Sequence, residues 1–266
     1  MNIRLYFQLL INKLILITNR FVRIKGLNIG ATNKNCFLFL KNLDQINGYY
    51  FDENSKLPFK DNSLDFIYCS HMVEHLNDMT IINLLKESKR VLKRNKVIRI
   101  VTVDFDLLKK ILDQNDEKKF NSLNFNGRPE WKEYGIEFNL FNTILHFFAN
   151  YQNKPFKDSP EFTGNYKDFY RGPPKLDEKH TKKLSQSLNT EQFGEYVISK
   201  IPKSYFNNGG HINTITLNKI NKLSKDIFIF YKSKYENSSE KKLNKIENFY
   251  NSKRLSISIF FEAFNV

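Results

Sequence analysis

Short apolar runs alternate along this chain with longer segments whose apolar residues recur at helical spacing, the pattern of an α/β protein. The clearest apolar run is Leu64 to Cys69, which predicts a buried strand; Ser70 would open a polar, helix-like segment after it. A helix is expected from about Asn77 to Lys93, with Asn77 or Asp78 as N-cap and Met79, Ile82, Leu85, Val91 and Leu92 on one face. Val97 to Val103 (VIRIVTV) then reads as a β-rich strand closing on Asp104. Upstream, Leu27 to Ile29, Cys36 to Leu40 and Tyr49 to Asp52 read as short strands. Downstream, helical patterning at Phe138 to Tyr151 and Thr216 to Ser224 is followed by two last strands, Ile227 to Tyr231 and Leu255 to Phe264.

Between about 113 and 210 the alternation of strand and helix breaks, and turn-rich pieces such as Gly172-Pro173-Pro174 appear. This divides the chain into an N-terminal helix over 1–25, a core from 26–112 and 211–266, and an inserted cap over 113–210. Covers of this kind commonly carry specificity. Leu5 to Ile17 is apolar yet holds Gln8, Asn12 and Lys13, and it falls short of the roughly 20 residues that cross a bilayer. It reads as a helix packed on the core, or else as an amphipathic helix giving residues 1–25 a peripheral membrane contact. No small-residue cleavage site follows it, so it does not read as a signal peptide.

Charge and cysteine content narrow the classes further. The net charge is +14, from 42 Lys and Arg against 28 Asp and Glu. Lysines are scattered instead of forming a dense basic block, in a chain rich in Lys, Asn, Ile and Phe throughout, so the charge does not by itself point to nucleic acid. Two cysteines, Cys36 and Cys69, with no CxxC pair, argue against a disulfide framework or a Cys-rich zinc site and suit a reducing, cytoplasmic setting.

Three stretches place chemistry at the ends of predicted strands. Leu27-Asn28-Ile29-Gly30 feeds the turn Gly30-Ala31-Thr32-Asn33, where a glycine lets a ligand approach the backbone. Asp44 follows the second strand, where an acidic residue can hold ribose hydroxyls; the turn composition around it suits a plain turn equally well. LPFKDNSLDFIYCSHMVEHL, residues 57–76, runs through a proline bend and a polar turn into the central strand, and puts Ser70, His71, Glu74 and His75 just past its end.

That last stretch strongly resembles the fourth strand and following loop of class I S-adenosylmethionine-dependent methyltransferases, of the type 11-like group found with polysaccharide-synthesis genes. Glu87, Arg90, Val91, Leu92, Lys93, Arg99, Ile100, Val103 and Asp104 match a second phrase of that family, with Arg94-Asn95-Lys96 in place of its Pro-Gly-Gly. The last strand, ending S-x-S-h-h-h-E-A (h for apolar), and a Gly-His loop at His211 are similar too. The resemblance implies a doubly wound, mostly parallel, Rossmann-like sheet with an inserted helical cap and an antiparallel last strand. It implies a methyltransferase with S-adenosylmethionine as cofactor, held by Asn28, Gly30, Ala31, Thr32, Asp44, Asp52, Ser70 and His71, with Asp52 near the adenine. His71 and His211 are the candidate catalytic bases, and His211 reads equally as a lining or a turn residue. The acceptor would be a small molecule or glycan, such as a sugar oxygen.

Two other readings stand beside it. The glycine-poor first turn suits a methyltransferase-like binding module without catalysis. His71-Met72-Val73-Glu74-His75 also spells H-x-x-E-H, the zinc motif of the inverted metallopeptidases, which requires His71 and His75 one turn apart on an α-helix.

Overall fold

The structure is a computed structural model that describes residues 26–30, 41–43, 51–123, 125, 131–132, 135–149, 173–201, 212–233 and 258–266. The expected N-terminal helix and the strand Cys36 to Leu40 lie outside those residues, as do Tyr49 and Tyr50; Phe51 and Asp52 are not in a strand.

The chain divides into two compact units: 1–73, 77–102 and 217–266 form one, and 74–76 with 103–216 the other. The first unit carries a six-stranded sheet in the order β2-β1-β3-β4-β6-β5. Its strands are β1 (Gly26–Ile29), β2 (Lys41–Leu43), β3 (Leu64–Ser70), β4 (Leu92–Val103), β5 (Tyr231–Ser233) and β6 (Ser258–Phe264). β1 pairs in parallel with β2 and β3, and β3 with β4. β6 runs against β4, since Asn265 bonds at Lys96 while Glu262 bonds at Arg99, and β5 is antiparallel to β6. The sheet is thus mostly parallel with an antiparallel last strand.

β3 reads as a nearly unbroken apolar run because it lies inside the sheet, with Leu64, Phe66, Ile67, Tyr68 and Cys69 all buried. Full burial of each such side chain contributes about 1.5–3 kcal/mol. Ser70 is the last residue of this strand and does not begin a helix; a 3-10 turn, Val73–His75, follows instead.

α1 (Asp78–Val91) starts on Asn77, whose side-chain oxygen accepts from the Thr80 N–H at 2.8 Å. It passes straight into β4, and there the missing Pro-Gly-Gly is explained. Leu64 pairs with Leu92 but Phe66 pairs with Val97, so residues 93–96 bulge out of register. Asn95 sits in the bulge at φ 60°, a left-handed conformation that asparagine tolerates. Its N–H donates to the Asn265 carbonyl at 2.6 Å, and the Asn265 amide donates to the Leu92 carbonyl at 2.8 Å. Hydrogen bonds from the end of β6 therefore hold the loop that glycines would otherwise make.

α7 (Leu217–Leu223) packs with α1, and Lys219 lies 3.4 Å from Asp78. The strand expected at Ile227 to Tyr231 forms later, at Tyr231–Ser233. Asp226 takes φ 63° and the Ser224 hydroxyl donates to the Phe228 carbonyl at 2.8 Å, so these residues close the helix before the chain can extend.

Sequence patterning missed most helices of the second unit: α2 (Phe105–Gln114), α3 (Glu117–Ser122), α5 (Glu178–Ser187) and α6 (Thr190–Ser199), beside the expected α4 (Leu140–Phe148). The signal for them was present in their caps. Asp104, Asp116, Asn139, Asp177 and Asn189 each accept a backbone N–H of the following first turn, and Asn189 with Gln192 forms a capping box. α2, α4 and α6 meet around Phe148, whose ring lies 5.2 Å from Phe105 and 5.0 Å from Phe193. Gly194 of α6 lets Thr214 in: a Cβ there would stand 1.9 Å from the Thr214 hydroxyl oxygen.

Candidate functional site

In the first unit β1 is flanked by β2 on one side and β3 on the other, so the chain reverses its direction of growth at β1. Open α/β sheets bind ligands in the crevice beyond the carboxyl ends of the strands at such a switch point. Ile29 pairs with Cys69, which puts Gly30 and Ser70 side by side one step beyond, at that edge.

Gly30 takes φ +74° and donates its N–H to the Leu43 carbonyl at 2.9 Å, tying the end of β1 to the end of β2. A Cβ on Gly30 would meet the Cβ of Met72 at 2.8 Å and its sulfur at 2.9 Å. Glycine is needed here both for the backbone turn and for the methionine against it. Met72 in turn receives a thiol contact from Cys69 at 3.7 Å.

Ser70 is 3% exposed and its hydroxyl oxygen is buried without a hydrogen-bond partner among the described residues. A buried hydroxyl left unmatched is costly in a native protein and usually marks a missing ligand or water. His71 follows in the left-handed conformation, φ 49°, with its N–H on the Val101 carbonyl at 2.8 Å. Its Nε2 lies 3.0 Å from the Ser258 hydroxyl oxygen, at the start of β6.

Asn28 is placed differently. It is 1% exposed inside the sheet and its amide donates to the Asn42 carbonyl oxygen at 2.8 Å, bracing β1 against β2. Asp52 is exposed, and one of its oxygens accepts from the Asn54 N–H at 2.9 Å and the Ser55 hydroxyl at 2.7 Å. Those bonds hold its carboxyl below the usual range, the Ser55 hydroxyl most of all. Ala31, Thr32, Asp44 and His211 lie outside the described residues.

The bend Leu57 to Ser63 that leads into β3 is held by α1. Glu87 accepts the Leu57 N–H at 2.8 Å, and Arg90 donates to the carbonyls of Leu57 and Phe59, each at 2.9 Å. Glu87 and Arg90 bond each other at 2.6 and 2.8 Å, and Arg90 also reaches Asp61 at 2.7 Å. Arg90's hydrogen bonds hold the Glu87 carboxyl below its ordinary value. These two motif residues hold the bend that leads into β3.

Lys41, on β2, carried no signal in the sequence reading. It is 3% exposed, burial pushes its pKa down, and its ammonium lies 4.8 Å from the Phe59 ring centre.

The zinc motif lacks its scaffold. His71 is left-handed and Val73–His75 is a 3-10 turn, so the pentapeptide is not an α-helix and its histidines do not fall one α-helical turn apart. Among the described residues no group of three or more His, Cys, Asp or Glu could hold a metal ion. Nor is any helix among them long and apolar enough to cross a membrane.

Residues 21–100 match the family of methyltransferase domains. An uncharacterized protein of Methanocaldococcus jannaschii is 38% identical over 65 residues, which are 24% of this chain and 28% of that relative's length. A Thermotoga maritima S-adenosylmethionine-dependent methyltransferase, a possible histamine N-methyltransferase, overlays 40% of this chain and 64% of its own at 23% identity and a TM-score of 0.25. The Rickettsia typhi protein PKMT2, in complex with S-adenosylhomocysteine, overlays 91% of this chain and 49% of its own at 10% identity and a TM-score of 0.36. These scores are low, and the strand order, not the overlays, carries the fold. Residues 21–100 thus match a methyltransferase domain, and the sheet that carries them is mostly parallel with an antiparallel last strand.

Proposed function

We propose that this protein transfers a methyl group from S-adenosylmethionine to an oxygen of a small-molecule or glycan acceptor, in the synthesis of a surface polysaccharide. The observation that carries the donor site is the Ser70 hydroxyl, buried and without a partner among the described residues, one step past the Ile29–Cys69 pair at the carboxyl edge of β1 and β3. A polar ligand at the switch point would supply the partner that hydroxyl lacks. The bound donor supplies an electrophilic methyl on a sulfonium. The protein must then hold donor and acceptor in line, exclude water and take one proton from a hydroxyl acceptor. His71, one residue past the strand end, is the group for that proton. Asp44 is assigned to the ribose and Ala31 and Thr32 to the methionine portion, on the family resemblance, with His211 as a second residue of the acceptor side. Asn28 holds the two strands that carry this loop. The glycan acceptor rests on the resemblance of the last strand and the Gly-His loop. Acceptor choice is assigned to the insertion over 113–210.

Calorimetric titration with S-adenosylhomocysteine tests the donor site. Micromolar binding by the wild type, weakened at least tenfold in Asp44→Ala, is the expected result. An intact fold by circular dichroism with no binding would overturn the reading in favour of a non-catalytic relative. Transfer of labelled methyl from S-adenosylmethionine to a panel of sugar nucleotides and oligosaccharides then tests the acceptor class.

A further inference from the structure

The segment that enters β3 runs alongside α1, and one stripe of that helix holds it along its length. Asn83, Glu87 and Arg90 stand at i, i+4 and i+7, on one face of the helix. Glu87 and Arg90 take Leu57 and Phe59, and Asn83 takes the residues before them. The Asn83 side-chain nitrogen donates to the Asp52 carbonyl at 2.9 Å and to the Ser55 carbonyl at 2.8 Å. Carbonyls only accept, so the orientation of this amide is fixed and both of its N–H groups are used. Further on, the N–H groups of Asn62 and Ser63 donate to the Arg90 and Val91 carbonyls at 2.9 and 2.8 Å. At 1.5 Å of rise per residue, Asn83 holds its end of the segment about 12 Å along the helix from the Ser63 anchor. α1 ends where Leu92 pairs with Leu64 at the start of β3, so this offset leads from the amino end of the strand toward its carboxyl edge. Asp52 and Ser55 also close a turn on themselves. Oδ1 of Asp52 accepts from the Asn54 N–H and the Ser55 hydroxyl, whose oxygen accepts the Asp52 N–H at 3.0 Å. The turn uses Oδ1 alone, and Oδ2 accepts from none of the described residues.

We infer that Asn83 is a positioning residue of the donor site: it anchors the Asp52–Ser55 turn on α1 and so sets where Oδ2 of Asp52 meets the amino group of a purine. The inference rests on the proposed donor site, in which Asp52 falls to the adenine by resemblance, and adds how that carboxylate is held. Asn83 itself belongs to neither of the two phrases that carry the resemblance, residues 57–76 and 87–104. The bonds inside the turn are local and travel with the loop wherever it goes. Those from Asn83 tie the turn to a helix whose other end is fixed to the sheet. Asn83 spends both N–H groups on carbonyls, so it acts through Asp52 and not on the ligand. An ionised carboxylate only accepts, and with Oδ1 committed to the turn its second oxygen is the acceptor offered to a ligand. The exocyclic amine of adenine is a matching donor. A base without that amine leaves the oxygen unmatched and binds more weakly.

Calorimetry with S-adenosylhomocysteine and with its analogue lacking the 6-amino group reads the contact directly. The wild type is expected to prefer S-adenosylhomocysteine by about tenfold. Asp52→Ala, Asn83→Ala and Asn83→Leu should each bring the two ligands within about twofold of one another. Circular dichroism checks the fold of each variant; alanine and leucine are better helix formers than asparagine, so α1 should persist. A wild type without the preference, or an Asn83→Ala protein that keeps it, would overturn the inference. A merely structural Asn83 would lower stability toward urea and leave the preference unchanged. Carbon-13 NMR of the Asp52 carboxyl, assigned by its loss in Asp52→Ala, gives a readout that needs no ligand. The turn holds this carboxyl below its ordinary value, and freeing the turn in Asn83→Ala and Asn83→Leu should raise it. A titration that both variants leave unchanged overturns the role of Asn83. If the wild type binds neither ligand, the donor reading falls, and the Asp52 titration still decides whether Asn83 positions the turn.

Discussion

Substituting Gly30 by alanine separates two demands that meet at one residue. At φ +74° an added Cβ pays the left-handed penalty of about 1–2 kcal/mol. It also meets the Cβ of Met72 at 2.8 Å, well inside the roughly 3.5–4.0 Å at which carbon atoms pack. The Met72 Cβ is the root of a side chain and moves only with its backbone, so this overpacking adds about 1–3 kcal/mol. The sum is near 3 kcal/mol, a large share of the roughly 5–15 kcal/mol that holds a domain together. Urea unfolding followed by circular dichroism measures it, and in a thermal scan it corresponds to a fall of about 6–12 °C. Met72→Ala in the same chain removes the contacts at the sulfur, 2.9 Å, and Cγ, 3.0 Å, but leaves the Cβ. The double variant should therefore recover part of the loss and never all of it. A Gly30→Ala protein within about 0.5 kcal/mol of the wild type, the range of an uneventful surface change, would refute both the positive φ and the packing at this turn.

Two further substitutions probe charges that the motifs carry. Arg99 and Glu262 are 0% and 1% exposed in their side chains and bond at 2.8 Å, so Glu262→Ala takes a buried carboxylate partner from the guanidinium and should cost about 3–5 kcal/mol in urea unfolding. Replacing both by apolar residues, Arg99→Met with Glu262→Leu, should recover much of that, and a double variant no better than the single one would contradict the pairing. Glu87 titrates below its ordinary 4.5 in the folded state because Arg90 bonds its charged form. A lowered folded value gives stability that is present above 4.5 and lost as pH falls through the folded value. The stability gap between wild type and Glu87→Gln should be widest near neutrality and narrow below about pH 4.5. A gap independent of pH would mean that the carboxylate charge plays no part.

Much of the first unit was legible because its residues have one use. Leu64 to Cys69 is apolar on both faces since it lies inside the sheet, and Asn77 caps α1 because a helix start needs an acceptor. The antiparallel last strand came from resemblance, as no local pattern distinguishes strand direction. Ser70 and His71 were misread as the start of a helix, because a strand end, a left-handed residue and a 3-10 turn are set by hydrogen bonds to Val101 and Ser258, far away in sequence. The helices of the second unit were missed for a different reason. Their apolar faces are short and interrupted by lysines and serines, and α5 buries little beyond Thr181 and Ser185. Their Asp and Asn caps were the better signal than periodicity.

The motif residues that carry the family resemblance do mostly mechanical work, and that bears on what the motifs can reveal. Glu87 and Arg90 hold the bend from Leu57 to Asp61, Arg99 and Glu262 join β4 to β6, and Asn95 shapes the bulge that stands in for glycines. None of them is among the candidate site residues. A methyl transfer from a sulfonium gains chiefly from placement and needs at most one proton moved, so its sequence signature is a set of braces around a crevice, not a cluster of acids and bases. Ser70, whose buried hydroxyl at that crevice has no partner among the described residues, and His71 are the candidates there. The braces explain why the domain type is readable from 57–104, while the acceptor leaves no such mark and is found by offering labelled donor with a panel of candidate acceptors.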